Sequence, residues 1–430
     1  MIPPILRQVP MAPSAPEAPR DLAAERTVMV WRKQMRKHPS SMMAVVAILM
    51  LIITACTSGE SPSPTGSAPE ETAGESAAPT DAPTGLAACG EEDSGDAFLI
   101  GGVTDVGQLE DKSFNEGGWC GTIAGATAVG GSADVIVTED PADYQQNMQT
   151  FIDQGYAIIV TYGFALGNDT AIAAKANPDV SFIGLDQPVC VDENGDPDPT
   201  FTCAGDAAEL LPNYQGLIFA EAQAGYLAGI VAGTITETNV IGAIGGIESI
   251  PAVPFYIGGY HNGALSVNPD VEVLISYVSE DITTAFNDPT TGAALADQMI
   301  GQDVDVIFQV AGLSGQGALE AACDADIYGI GVDVDQALAL PNLTCIVTSA
   351  EKKLVDAVSE AIQRVADGTA VGGTLVLDAA SVPPKVSASA FHNHADLLTA
   401  ELQALLDEAT AAMAAGELDP CEGDGECPFE

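Results

Sequence analysis

Three features of this sequence predict an α/β fold made of two doubly wound lobes. From residue 97 onward, short β-rich runs alternate with helical patterns of about 10–15 residues, as βαβ units and parallel sheets require. About nine such strands can be read, too many for one small doubly wound sheet. The strand ends carry acids, amides, glycines and aromatics, where an open α/β sheet presents its carboxyl edge to a ligand.

The strands are read at 97–102, 134–138, 157–161, 181–185, 240–244, 272–277, 304–309, 328–332 and 345–348. A helix opens from the loop that follows the first strand. Further helices are read at 144–154, 165–177, 223–233, 256–267, 288–301, 315–323 and 351–368, and 396–413 reads as a closing helix. The helix from 351 shows its period plainly, with apolar residues at 354, 355, 358, 362 and 365 forming one face. Residues 190–203 form a polar, Asp- and Pro-rich excursion after the fourth strand.

The chain ahead of this region has a different character. Arg32, Lys33, Arg36 and Lys37 form a basic flank, Met42 to Ile53 is an uninterrupted apolar run, and Thr54-Ala55-Cys56 ends it. That order describes a secretory signal, and the run is shorter than the ~20 residues of a spanning helix. The terminal cysteine gives it the look of a lipoprotein signal, with Cys56 lipidated. Residues 1–56 are therefore expected to be a signal peptide with an N-terminal extension, the true start falling at Met29 or Met35 on one reading. Residues 57–96 are rich in Ser, Pro, Thr and Glu with almost no large apolar side chains; they cannot bury enough surface to offset ordering and read as a disordered tether. The folded part is expected over 97–430.

Acids number 61 against 13 Lys plus Arg, and the formal net charge is −48. Only Lys112, Lys175, Lys352, Lys353, Arg364 and Lys385 follow Cys56. A nucleic-acid partner is excluded, because that binding needs a positive footprint. Apart from Cys56, eight cysteines remain, an even number that suits disulfides in an exported chain. Proximity favours Cys190–Cys203, Cys323–Cys345 and Cys421–Cys427, leaving Cys89–Cys120. No pair has Cys-x-x-Cys spacing and the histidines are not interleaved with them, so no metal site and no cofactor is expected.

The richest stretch runs from Val103 to Trp119, V-T-D-V-G-Q-L-E-D-K-S-F-N-E-G-G-W, with Asp105, Asp111, Lys112, Asn115 and Trp119 inside it. Other strand ends carry Asp186-Gln187, the A-G-L-S-G turn at 311–315, G-V-D-V-D-Q at 331–336 with Asp333, and T-S-A-E-K at 348–352. Each of these residues also has a plainer role. Trp119 suits the core of its helix, Asp105 and Asn115 suit turn and helix capping, Asp333 suits a surface loop, and Lys352 suits pairing with neighbouring acids. His261, His392 and His394 read as ordinary surface or hinge residues.

The first stretch resembles the opening V-T-D-x-G-x-x-D-D-K-S-F-N signature of the basic membrane lipoprotein family, the nucleoside-binding lipoproteins of bacterial ABC importers, with Glu110 in place of the first paired aspartate. The other four motifs resemble that family's in the same order, over roughly 97–370. The resemblance implies a periplasmic binding protein of type I, two doubly wound lobes joined by three crossovers. Those crossovers are expected near 216–220, 347–350 and 376–385, giving one lobe of about 97–216 plus 348–380 and a second of about 217–347 plus 381–420. It also implies roles. Trp119 and a second-lobe aromatic, Tyr256 or alternatively Phe255 where the family prefers phenylalanine, would sandwich a purine. Asp105 and Asn115 would read its edge, and Asp333 would accept from two ribose hydroxyls with Lys352 donating to the sugar. Asp186 and the backbone at Gly312 would complete the pocket.

The function these readings support is a lipid-anchored substrate-binding protein on the extracytoplasmic face of the cell membrane, delivering a purine nucleoside to an ABC permease and ATPase complex. A binding lipoprotein for a sugar or another small metabolite, or a ligand sensor, is the alternative. Enzyme chemistry is disfavoured: there is no G-x-S-x-G or H-E-x-x-H, and a nucleoside hydrolase would need its carboxylates clustered at one strand end, whereas these acids are spread over several.

Overall fold

The computed structural model describes residue 89, residues 95–423 and residue 427. The expected signal segment, Cys56 and most of the tether lie outside these residues.

Two six-stranded sheets organise the chain. The first contains β1 (Leu99–Thr104), β2 (Ser132–Ile136), β3 (Ile158–Tyr162), β4 (Ser181–Leu185) and β5 (Tyr214–Phe219), joined at its edge by β11 (Gly373–Leu377). The second contains β6 (Val240–Gly245), β7 (Glu272–Tyr277), β8 (Val306–Val310), β9 (Tyr328–Asp333) and β10 (Ile346–Lys352), joined by β12 (Val386–Ala388). The strand orders are β11-β5-β4-β3-β1-β2 and β12-β10-β9-β8-β6-β7, so the two lobes repeat one doubly wound topology. Every pairing is parallel except β10 with β12. The inner strands are mostly apolar because helices cover both faces; β3 and β8 are buried at every position, Thr161 and Gln309 included.

Among the described residues the long helices are α1 (Phe114–Val129), α2 (Tyr144–Asp153), α3 (Gly167–Ala176), α4 (Glu221–Ile235), α5 (Ala252–Val267), α6 (Pro289–Ile300), α7 (Gly312–Asp324), α8 (Leu354–Ala366) and α9 (Ala400–Ala414). Helix α8 buries Leu354, Ala357, Val358, Ala361 and Ile362 and packs this face on α1 of the first lobe; of the positions its sequence period marks, 354, 358 and 362 are buried, whereas Val355 is exposed and Val365 half-buried. Helices α4 and α5 meet backbone to backbone. A Cβ added at Gly229 would stand 2.0 Å from the Tyr260 carbonyl oxygen, and one at Gly259 would stand 2.1 Å from that of Ala222. Only glycine permits that approach, and Gly225, Gly233 and Gly263 repeat it along the two helices.

The chain passes between sheets three times: after β5, after β10 and between β11 and β12. The first passage falls at Ala220, within the 216–220 that the family resemblance implies, but three strands of the structure lie outside the nine read from the sequence. They are Tyr214–Phe219, Gly373–Leu377 and Val386–Ala388, the strands that flank the passages. The second passage, expected near 347–350, follows Lys352 instead. Strand β10 stays in the second sheet to its last residue, with Glu351 opposite Asp333 and Lys352 opposite Val386. Of its polar last residues only Lys352 lines the cleft between the lobes; Thr348 and Ser349 bond to Ser389, and Glu351 to Lys353 and Ser387.

The four disulfides are Cys89–Cys120, Cys190–Cys203, Cys323–Cys345 and Cys421–Cys427, the pairing that proximity favours. Cys190–Cys203 closes the acidic excursion, which also makes a single bridge between Val191 and Pro197. No helix among the described residues is long and apolar enough to cross a membrane.

Candidate functional site

The carboxyl ends of the two sheets face each other, and the residues just beyond their strands line one cleft. Asp105 follows β1, Asp186 follows β4, Asp333 and Lys352 end β9 and β10, and Gly312 opens α7 after β8. Asp186, Gly312 and Asp333 have φ of +57°, +53° and +65°, so each sits at a sharp left-handed turn off its strand. Of the eight residues expected to hold a ligand, Asp105, Asn115, Asp186, Tyr256, Gly312, Asp333 and Lys352 come together around one cavity. The space among its lining residues that no atom fills is about 640 Å³, a figure that includes open solvent at the mouth.

The loop from β1 to α1 is built around Asp111. Its carboxylate accepts from the backbone N–H groups of Ser113, Asn115 and Glu116 at 2.9, 3.0 and 3.1 Å, capping the first turn of α1. That anchors Asn115, whose Nδ2 donates to the carbonyls of Val106 and Gln108 at 2.9 and 3.1 Å. Both amide donors are thereby spent on the loop, and the buried Oδ1 is left without a protein partner. Asn115 therefore offers a ligand an acceptor. Asp105 accepts from its neighbour Val106 N and from Ala165 N at 3.2 Å.

Burial pushes Asp105 up to about 7, against the pull of the Val106 and Ala165 N–H groups. Asp111 is likewise pushed up to about 7 by burial, although three N–H groups hold it down. Carboxyls raised above their unfolded values contribute stability that is complete below the unfolded value and is lost as pH rises through the folded one. Thermal midpoints are thus expected to fall between pH 4.5 and pH 8, and Asp105→Asn should flatten that slope. An Asp105→Asn profile parallel to the parent's would count against this assignment.

The second cluster is centred on Lys352. Its ammonium pairs with Asp186 Oδ2 and, at 3.1 Å, with Glu221 Oε1, and both pairs are buried. The rings of Phe114, Phe219 and Tyr256 lie 5.3, 5.5 and 5.5 Å from it, a cation–π surround. Burial by itself would lower this ammonium, but the charges of Asp186, Glu221 and Asp333 outweigh it and hold it well above the usual lysine value. Burial raises Glu221 to about 7 while the Lys352 charge draws it down. Asp333 is raised by burial too, with Lys352 and the Ser113 hydroxyl opposing.

Several contacts cross the cleft. Ser113 Oγ donates to Asp333 Oδ2 at 2.6 Å, Gln336 Nε2 donates to the Lys112 carbonyl at 2.9 Å, and Lys352 reaches Asp186. The Tyr256 hydroxyl donates to the Ala350 carbonyl at 3.3 Å and lies 3.5 Å from Asp333 Oδ1.

Trp119 departs from expectation. It is 2 % exposed and packed in the core shared by the two lobes, not on the cavity. One helical turn beyond Asn115, about 6 Å along α1, it sits too deep for a stacking platform. The aromatic walls are instead Phe114, Phe164, Tyr256 and Phe286. Phe114 was visible inside the first motif, in the position that opens the helix. Phe164 and Phe286 lie on connections with no motif of their own, and Glu221 stands at the first passage, where sequence gives a boundary and no partner.

Residues 98–381 match the family described as ABC transporter substrate-binding protein, PnrA-like. The ABC transporter nucleoside-binding protein BmpA of Lactococcus lactis is 30% identical over 293 residues, covering 64% of this chain and 76% of that protein. Basic membrane protein A of Borreliella burgdorferi is 29% identical over 249 residues, covering 57% of this chain and 66% of that protein. Among solved structures, an ABC transporter solute-binding protein from Aeropyrum pernix matches with a TM-score of 0.63 at 22% identity, over 75% of this chain and 92% of its own. A second, from Conexibacter woesei, gives 0.56 at 23%, over 75% and 98%. These structural likenesses establish the type I periplasmic binding protein fold.

Proposed function

The chain belongs to the PnrA-like family of ABC transporter substrate-binding proteins, and from that membership we propose that it captures a purine nucleoside for its transporter by closing two lobes over it. It is a binding protein and not an enzyme, and its partners are a small-molecule ligand and a permease and ATPase complex. The observation that carries the nucleoside reading is the lining of the cavity: the rings of Phe114, Phe164 and Phe286 stand with the free Asn115 Oδ1 and with Asp333 and Lys352. Rings offer a planar base stacking worth about 0.5–1.5 kcal/mol beyond burial. An acceptor oxygen suits a ring N–H or amino group, and a carboxylate beside an ammonium suits paired sugar hydroxyls. Lys352 already meets Asp186 and Glu221, so the cavity has no spare cation for a phosphate. That balance favours nucleosides over nucleotides.

Anchoring through a lipid on Cys56 at the extracytoplasmic face belongs to the same proposal and rests on the sequence of residues 32–56. A sugar or another hydroxyl-rich metabolite is the second reading, because carboxylates beside an ammonium would serve it equally. Thermal unfolding of the purified chain in detergent, refolded to remove carried-over ligand, against nucleosides, bases, nucleotides and sugars separates the two. A ligand at 100 times its dissociation constant adds about 2.7 kcal/mol. A rise with purine nucleosides alone supports the proposal; a rise with sugars alone keeps the fold and replaces the ligand.

A further inference from the structure

We infer that Glu221 is a positioning residue that keeps the Lys352 ammonium paired while the lobes part, and so helps set the balance between open and closed forms. The inference rests on the lobe closure proposed above and adds a residue that lies outside the cavity lining.

The argument turns on which lobe each charge rides with. Lys352 is the last residue of β10 in the second sheet. Glu221 is the first residue of α4, and α4 packs on α5, β10 and β12, all elements of the second lobe. Asp186 follows β4 in the first sheet. The ammonium therefore holds one carboxylate of its own lobe and one from across the cleft. The remaining charged group facing it, Asp333, also belongs to the second lobe, and its Oδ2 is occupied by the first-lobe Ser113 hydroxyl.

Opening carries Asp186 away. A buried ammonium left without its partner is costly, and Glu221, at 3.1 Å and in the first turn of a helix whose dipole favours an anion there, remains to meet it. The passages beside it are tied to the same point: the Ala379 N–H donates to Gln223 Oε1 at 2.8 Å, and the Lys353 N–H donates to the Lys385 carbonyl at 2.9 Å. Without the Glu221 charge, Lys352 would find an anion from across the cleft only in the closed form, so the ligand-free population should move toward closure. Without the Asp186 charge it should move the other way.

The test is the distance between nitroxides attached to p-acetylphenylalanine at Ile172 and Ile275, exposed positions of the first and second lobes. It is measured on the full chain in detergent at pH 8, refolded free of ligand. Glu221→Gln is expected to shift the distribution toward shorter distances and Asp186→Asn toward longer ones, while Glu221→Gln added to Lys352→Met should change nothing further. A shift of Glu221→Gln to longer distances, no shift, or a shift that persists in the Lys352→Met background would overturn the inference. If circular dichroism shows Glu221→Gln unfolded, Glu221→Asp is read instead, with a smaller shift in the same direction expected and its absence counting against the idea. Inosine provides the control: shortening by inosine with no response to the Glu221 variants removes this inference alone. Distances that neither a ligand nor a variant moves remove lobe closure, and the inference with it.

Discussion

Lys352→Met is expected to cost the fold about 3–5 kcal/mol at pH 8, the usual loss when one partner of a buried ion pair is removed. Methionine fills much of the same space, so the loss is one of charge: Asp186, Glu221 and Asp333 are left together, buried, with no cation. The pH dependence gives the mechanism its signature. Burial already raises Glu221 to about 7 and raises Asp333, while Lys352 opposes both shifts; without Lys352 both rise further. Groups whose folded values exceed their unfolded ones lose stability as pH climbs and regain it as they take up protons. The deficit of the variant, measured by denaturant unfolding, should therefore shrink from pH 8 toward pH 5. A deficit that is equal at both pH values would mean that lost packing, not unpaired charge, accounts for it.

The second large effect concerns binding. Under the proposed reading, Asp333→Ala should weaken purine nucleoside binding by about 10²–10⁴-fold, since two hydrogen bonds to a charged acceptor are worth about 1.5–3 kcal/mol each. The variant also loses the 2.6 Å bond from Ser113 across the cleft, which removes one tie of the closed form. Ligand-free stability should change far less than binding, because Lys352 keeps Asp186 and Glu221. Titration calorimetry with inosine and 2′,3′-dideoxyinosine separates the contributions. The parent should discriminate strongly between them and Asp333→Ala hardly at all. Equal discrimination by both proteins would place the hydroxyl-reading group elsewhere.

How far the site could be read from sequence depended on where each residue sits relative to a strand. Asp105, Asp186, Asp333 and Lys352 stand at or just beyond strand ends, and a doubly wound sheet directs such positions at its ligand. Their grouping in one cavity follows from topology. Tyr256, which the family resemblance implies with Phe255 as the alternative, also lines the cavity. Trp119 lies off the cavity: a motif records that an aromatic is present and not the direction it points. Helical rotation turns Phe114 toward the cleft and buries Trp119 in the core.

Local chemistry along the chain determined the class of fold, the alternation of strands and helices and the pairing of the cysteines, while the place of the first passage came from the family resemblance. These depend on periodicity, turn residues and short separations, which are written within a few dozen residues. Only the tertiary structure decided which rings wall the cavity, that Asn115 spends its donors and keeps its acceptor, and that Glu221 lies 3.1 Å from an ammonium 131 positions later in the chain. Those outcomes come from burial and from contacts between distant segments. A buried charge takes its properties from whichever groups the fold brings within a few ångströms, and no local pattern specifies them.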